Sequence, residues 1–276
     1  MKIALLTLRG RPEAVAAARD ATAWLRQRRV DVSEGDLDRP DTVAAAIRDA
    51  TIACVFGGDG TMLHASRLTA PHGVGILGVN LGRLGFLTIA SMSELPAILE
   101  DVLAARYTIE ERMLLDATVS RDGRKIERAL ALNDVVVARG REVRSVHVHV
   151  QIDGEEFTTY WADGLIVATA TGSTAYAFSV GGPVIIPRAR TMLFVPIAPH
   201  LSFRNAVVLD EGQRVRLVPE DGARISIDGQ IERDLAAGDT IEITPATVNA
   251  RFVRTERVRP FLALLRDKIL KEGKGM

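Results

Sequence analysis

Residues 54–63 read CVFGGDGTML, so that Gly57, Gly58 and Gly60 surround one aspartate, Asp59, and Thr61 follows. Glycines let a backbone approach a ligand closely, and an ionised carboxylate can only accept hydrogen bonds. A turn of this kind between an apolar run and a helix start exposes backbone N–H groups at the positive end of the helix dipole, which suits a phosphate. Gly57, Gly58 and Thr61 would then lie beside the phosphates, and the pattern leaves open what Asp59 faces. The competing reading is a glycine-rich loop whose aspartate caps the helix. A second constellation is Asn133-Asp134. Asn can both donate and accept, as a base edge requires, while Asp can accept from a ribose diol. Strand neighbours point to opposite faces, so both reach one ligand only at a strand end or bulge; a simple turn is the alternative. The third is TGSTAY, residues 171–176. It reads as a helix start with Ser173 or Thr174 as N-cap, and a helix start is also where phosphate or carboxamide oxygens bind. His147 and His149 lie two apart with no third ligand in view, which fits a solvated strand face better than a metal site. His200, between Pro199 and Leu201, reads as a structural histidine or a ligand contact. No G-x-x-x-x-G-K-[ST], CxxC or HExxH occurs, and no G-x-G-x-x-G follows the first strand.

These residues need a frame. KIALLTL (2–8), TIACVF (51–56) and GVGILGVN (73–80) are apolar runs of the kind buried parallel strands show. Between them lie helical stretches: an Ala-rich one over 11–29, DTVAAAIRD (41–49) with Asp41 as N-cap, and TMLHASRLT (61–69). SELPAILEDVLAARY (93–107) is expected to be a helix capped by Ser93, with Pro96 in its first turn. Alternation of this kind predicts an open, mostly parallel α/β domain over 1–105. From about 107 the period becomes two. Val146, Val148, Val150 and Ile152 alternate with polar neighbours, and Asp153-Gly154 signals a tight turn, so 106–254 is predicted to be β-rich and largely antiparallel. Residues 255–276 return to helical spacing through Phe261, Leu264, Leu265, Ile269 and Leu270, a face expected to pack back on the first domain.

Composition narrows the classes. With 276 residues and 47% hydrophobic content, the chain can bury a substantial core. Thirty-five basic and 35 acidic residues cancel, so no global field favours nucleic acid or an anionic membrane. Cys54, the single cysteine, excludes an intrachain disulfide and fits a reducing cytoplasm. The N-terminal apolar run breaks at Arg9 and lacks a small-residue cleavage site, unlike a signal peptide, and no run approaches the ~18 apolar residues of a membrane span.

GGDGT resembles the signature shared by NAD kinases, diacylglycerol-type lipid kinases and, more loosely, phosphofructokinases. GVNLGRLGFLT (78–88), LNDVVVAR (132–139), DGLIVATATGSTAYAFSVGGPVI (163–185), PIAPHLSFRNAVV (196–208) and SIDGQ (226–230) follow in order. Together they resemble the NAD kinase family across nearly the whole chain. The resemblance implies transfer of a phosphoryl group from ATP, another triphosphate or polyphosphate to the adenosine 2′-hydroxyl of NAD, giving NADP. It also implies Mg²⁺ or another divalent ion, a homodimer or homotetramer, and no nucleic-acid or membrane partner. Residue by residue it places Asp59 as proton acceptor. It places NAD contacts at Gly60, His64, Phe86, Asn133, Asp134, Arg144, Trp161, Asp163, Thr171, Thr174, Ala175, Tyr176 and Ser179. Because phosphoryl transfer has a loose transition state, Asp59 is expected chiefly to orient the hydroxyl and only secondarily to act as base. The chain departs from the family at Asp134, where Glu is usual, at Ala170, where proline is frequent, and at Trp161, where some members carry Arg for the pyrophosphate. A lipid kinase sharing GGDGT would leave the NAD-type motifs without a purpose. A silent NAD(P) sensor would have no use for Asp59.

Overall fold

Residues 3–6, Ile-Ala-Leu-Leu, are fully buried because helices cover both faces of the strand they form. The computed structural model describes residues 1–82, 85–140 and 144–272, with side chains through 268. Arg83 and Leu84 of the 78–88 segment, and the side chains of Ile269 and Leu270, lie outside the described residues. The chain divides into two units, residues 1–111 with the stretch from Ala250 onward, and residues 112–249.

The first unit runs β1 (Lys2–Thr7), α1 (Pro12–Gln27), β2 (Asp31–Asp36), α2 (Pro40–Ile47), β3 (Ile52–Phe56), α3 (Asp59–Thr69), β4 (Gly75–Asn80), β5 (Ala90–Ser91) and α4 (Leu95–Leu103). Its strands pair in parallel in the order β2-β1-β3-β4. β3 and β4 are buried at every position, so their continuous apolar runs are what a sheet covered on both faces demands. α1 lays Ala14, Ala17, Ala18, Ala21 and Leu25 against this sheet, a one-sided stripe of small residues that lets helix and strands approach closely. β2 escapes a reading by apolar run because DVSEGD is an edge strand with one solvated side.

Two expected caps are corrected. α2 begins at Pro40 with Arg39 at the N-cap, since proline's fixed φ and missing N–H suit the first helical position; Asp41 falls inside the first turn. α4 has Glu94, not Ser93, at its N-cap, and the Glu94 carboxylate accepts from the Ser91 N–H at 2.9 Å and from its hydroxyl at 2.6 Å.

The second unit contains β6 (Thr108–Arg121), β7 (Arg124–Ala131), β8 (Asp134–Arg139), β9 (Val146–Ile152), β10 (Glu155–Ala162), β11 (Gly164–Thr169), a short α5 (Tyr176–Ser179), β12 (Thr191–Ile197), β13 (Val207–Asp210), β14 (Val215–Pro219), β15 (Ala223–Ile227) and β16 (Ile231–Leu235). β17 (Thr240–Arg254) pairs its first half with β14; its Phe252 pairs with Ile76 of β4 in the first unit, where α6 (Phe261–Glu272) also lies. One antiparallel sheet has the order β13-β12-β11-β8-β15-β16. Its inner face meets β6, β9, β10, β14 and β17 in a core that includes Val135, Val137, Val148, Tyr160, Phe194, Leu217 and Ile241. Along β9 the valines 146, 148 and 150 are buried and His147 and His149 point outward, as period two requires.

Candidate functional site

The GGDG turn sits at the carboxyl end of β3, beside β1. From β1 the chain moves out to β2 on one side, while β3 lies on the other, so the turn occupies the point where strand order reverses. Open α/β sheets bind ligands at such points. Gly57 has φ +156°, and a Cβ there would fall 2.3 Å from the Thr61 hydroxyl oxygen, so only glycine fits. A Cβ at Gly58 would meet nothing within 4 Å, which marks the open side of the turn.

Asp59 does not cap α3. Gly58 occupies the N-cap, and no side chain caps the helix. The Asp59 carboxylate instead reaches across to the 85–88 loop, where Oδ2 accepts the Phe86 N–H at 2.9 Å and Oδ1 accepts the Leu87 N–H at 3.0 Å. A Cβ on Gly85 would lie 1.9 Å from Oδ1 and 2.3 Å from Cγ of Asp59, so the contact needs glycine at 85 as well. Each carboxylate oxygen has two lone pairs, so one on each remains for a further donor. Gly85→Ala is therefore expected to push the carboxylate off its two amides, costing about 1–3 kcal/mol as local overpacking. Thermal melting checks this, and an unchanged Tm would show that the loop simply yields. His64, on the same helix, is half-buried, and its pKa is lowered first by that burial and then by Arg67, with Asp38 opposing; it is not a standing cation near neutral pH.

In the second unit Asn133 ends a bend and Asp134 begins β8, so the pair stands at a strand end. What holds it there is Asp228. Its carboxylate accepts the N–H groups of Leu132 at 3.0 Å, Asn133 at 2.7 Å and Asp134 at 3.2 Å, and the Asp228 N–H donates back to the Asp134 carbonyl at 2.9 Å. Asp134 is buried, and that burial, followed by the negative charge of Asp228, raises its pKa to about 7. The 169–179 segment closes around the same pair. Thr169 N–H donates to Asn133 O at 2.8 Å, the Thr169 hydroxyl donates to Leu132 O at 2.5 Å, and a Cβ on Gly172 would lie 2.0 Å from Asn133 O. The expected N-cap at Ser173 or Thr174 is corrected: both lie in a 3-10 turn, their hydroxyls donating to Ala170 O and Thr171 O, and Ala175 caps the short α5. Thr171 is 5% exposed and its hydroxyl has no hydrogen-bond partner among the described residues, whereas Tyr176 and Ser179 are exposed.

Arg144, Trp161 and Asp163 are not part of this cluster. With Arg139, Ser145, His147 and Asp221 they line a separate cavity of about 370 Å³. Since β8 and β11 are antiparallel, Asp134 and Thr169 lie near one end of the pair, and Arg139 and Asp163 near the other, roughly 17 Å away at the rise of a strand. Trp161 stacks on His147 at 5.6 Å and tilts against His200 at 5.1 Å, so His200 packs on an aromatic ring. His149 pairs with Glu220 at 2.7 Å. Among the described residues no group of three or more His, Cys, Asp and Glu could hold a metal. Cys54 is fully buried and its thiol is pushed up to about 12 by that burial, which leaves it inert. No described helix is long and apolar enough to cross a membrane.

Sequence reasoning missed Asp228. SIDGQ reads as a hairpin turn, and Asp228 and Gly229 do form one, with φ +53° and +65°. Nothing in the local pattern says that the turn's carboxylate reaches back to residues 132–134.

With a glycine turn at a switch point of a parallel sheet and an acid-lined polar cluster in an antiparallel unit, the chain has the two parts that family models of a nucleotide kinase match. The description "ATP-NAD kinase N-terminal domain" matches residues 11–107, and "ATP-NAD kinase C-terminal domain" matches residues 132–255. The chain belongs to the NAD kinase family. It is 40% identical to the NAD kinase of Heliobacterium modesticaldum over 94% of this chain and 95% of that protein. It is 37% identical to the NAD kinase of Desulforamulus reducens over 99% of both. Of solved structures, an NAD kinase from Archaeoglobus fulgidus in complex with ATP superposes with TM-score 0.78 at 27% identity, covering 96% of this chain and 99% of that one. The yeast NADH kinase complexed with NADH shares the fold with TM-score 0.83 at 24% identity, covering 93% and 84%.

Proposed function

We propose that this chain phosphorylates the adenosine 2′-hydroxyl of NAD with ATP, and that Asp59 orients that hydroxyl. The observation that carries the assignment is the Asp59 carboxylate, held by two backbone amides with a lone pair left on each oxygen. A hydroxyl donating to it is aimed at the donor phosphorus, and its proton passes to Asp59 late, since the transition state is loose. Gly57, Gly58, Gly60 and Thr61 shape the turn that admits the donor phosphates, its open side at Gly58. Phe86 lies beside the adenine.

In the other unit, Asn133 meets a base edge and ionised Asp134 accepts from a ribose diol. The unpartnered hydroxyl of Thr171, with Thr174, Ala175, Tyr176 and Ser179, supplies further contacts to NAD. Arg144, Trp161 and Asp163 form a second, separate NAD contact region, where Trp161 offers a stacking face instead of a cation.

A divalent ion fits the donor set only as a companion of the triphosphate: with no carboxylate cage among the described residues, Mg²⁺ would be held by phosphate oxygens and water. When bound it neutralises charge on the donor phosphates. A cytoplasmic location and a homo-oligomer complete the reading; the lone buried thiol suits a reducing compartment. The experiment is direct. Purified protein with NAD, ATP and Mg²⁺ should generate NADP, read with an NADP-specific dehydrogenase, and no NADP at any donor tested would overturn the assignment.

A further inference from the structure

The C-terminal helix ends on the one aromatic ring of the loop that Asp59 holds. In the first unit the Phe261 ring of α6 lies 5.9 Å from the Phe86 ring, tilted by 40°. Two turns further along the same helix face, the Lys268 ammonium sits 3.8 Å from the centroid of the same ring. Phe86 is therefore gripped by α6 through its side chain and by Asp59 through its backbone N–H. The adjacent Leu87 N–H goes to the other carboxylate oxygen, and its side chain is buried. The Asp59 carboxylate occupies the space that a side chain at residue 85 would fill, so the loop must carry glycine there.

These contacts form one continuous chain, Lys268 and Phe261 to Phe86 to Asp59. The tip of the GGDG turn carries no side-chain cap, and among the described residues the Phe86 and Leu87 amides are the hydrogen-bond donors that orient the Asp59 carboxylate. A loop free to move would carry those amides with it, and the carboxylate would lose its fixed direction. Misplacing an oriented group by about 1 Å can cost on the order of 10²-fold in rate.

We infer that α6 is a positioning element for Asp59: Phe261 and Lys268, by clasping the Phe86 ring, fix the 85–88 loop whose amides aim the carboxylate. This rests on the assignment of Asp59 to the 2′-hydroxyl. The helix side chains touch no reacting atom in this scheme and act only through the loop.

Lys268→Met keeps most of the stem length and removes the charge; Lys268→Arg keeps a cation over the ring. Loss of one partly exposed cation–π contact corresponds to about a two- to fivefold change in an equilibrium. Hydrogen exchange at the Phe86 and Leu87 amides should quicken by about that factor in Lys268→Met, kcat for NADP formation should fall in step, and KM for NAD should change less. Lys268→Arg should restore both. Phe261→Leu should behave as Lys268→Met does. Wild-type exchange rates at both amides in folded Lys268→Met and Phe261→Leu would overturn the inference, as would equal loss of kcat in the Met and Arg variants. The exchange measurement needs no turnover, so absence of NADP formation by the wild type would remove the phosphoryl-transfer assignment, while the exchange rates would still decide whether α6 holds the loop.

Discussion

Asp59→Asn is expected to abolish most turnover while leaving NAD affinity near wild type. The substitution keeps the shape of the side chain and one carbonyl oxygen, which can still take one of the two loop amides. Its NH₂ group then faces the other N–H, so one charge-assisted hydrogen bond is lost and the melting temperature should drop modestly, by the equivalent of about 1.5–3 kcal/mol. The catalytic loss should be larger: about 10²–10⁴ in kcat, the range for removing a positioned acid–base group. Two explanations compete for such a loss. If Asp59 serves only to hold the 85–88 loop, activity should decline in proportion to the loosening of the Phe86 and Leu87 amides, and Gly85→Ala, which displaces the carboxylate without removing it, should cost as much as Asp59→Asn. If the negative charge faces the 2′-hydroxyl, Asp59→Asn should lose far more turnover than Gly85→Ala at equal loosening. The measurements are kcat for NADP formation, NAD affinity by calorimetry, and amide exchange at 86 and 87, on both variants. Near-normal kcat with Asn at 59 would sink the catalytic assignment.

How much of this could be read from the residues alone differs from one feature to the next. Long apolar runs such as TIACVF announce buried strands, because a parallel sheet covered on both faces tolerates little else. The edge strand β2 hides, since half of DVSEGD faces water and its pattern is not apolar. Caps were legible only as candidate residue types. Pro40 outcompetes Asp41 for setting a helix start, and the back-bonding hydroxyls of Ser173 and Thr174 serve a 3-10 turn instead of a helix N-terminus. At the site, GGDG and Asn133-Asp134 stand out because their residue types are costly unless used. Asp228 and the Phe86 and Leu87 amides do not. They act over separations of 94 to 96 and 27 to 28 residues, and a carboxylate's distant backbone partner leaves no periodic or local trace. The same limit applies to the split between the Asn133 cluster and the Arg144–Trp161–Asp163 cavity, which becomes visible only once β8 and β11 are seen to run antiparallel.

Asp134→Asn is expected to make the protein more stable at pH 8 and worse at holding NAD, two effects in opposite directions from one carboxyl. Burial and the neighbouring charge of Asp228 raise the Asp134 pKa from 3.8 to about 7 in the folded chain. Between those values the folded state binds the proton more tightly than the unfolded one, so the stability it contributes is fully present below about pH 4 and is lost as pH rises through about 7. Above that the wild type keeps a buried charge beside another. Asn cannot ionise, so the variant's advantage should be small at pH 4, grow toward pH 7 and level off, reaching on the order of 1–4 kcal/mol at one pKa unit per 1.36 kcal/mol. Binding runs the other way. A ribose diol donates more strongly to Asp134 when the carboxylate is ionised, so wild-type NAD affinity should strengthen as pH rises from 6 to 8. The variant should bind about 10–100-fold more weakly at pH 8, the worth of a hydrogen bond to a charged group, with little dependence on pH. Thermal melts at pH 4, 6 and 8 and calorimetric titrations of NAD at pH 6 and 8 separate these effects. A wild-type affinity that weakens from pH 6 to pH 8 would mean that protonated Asp134 donates to the ligand instead, and the acceptor role assigned to it would fall.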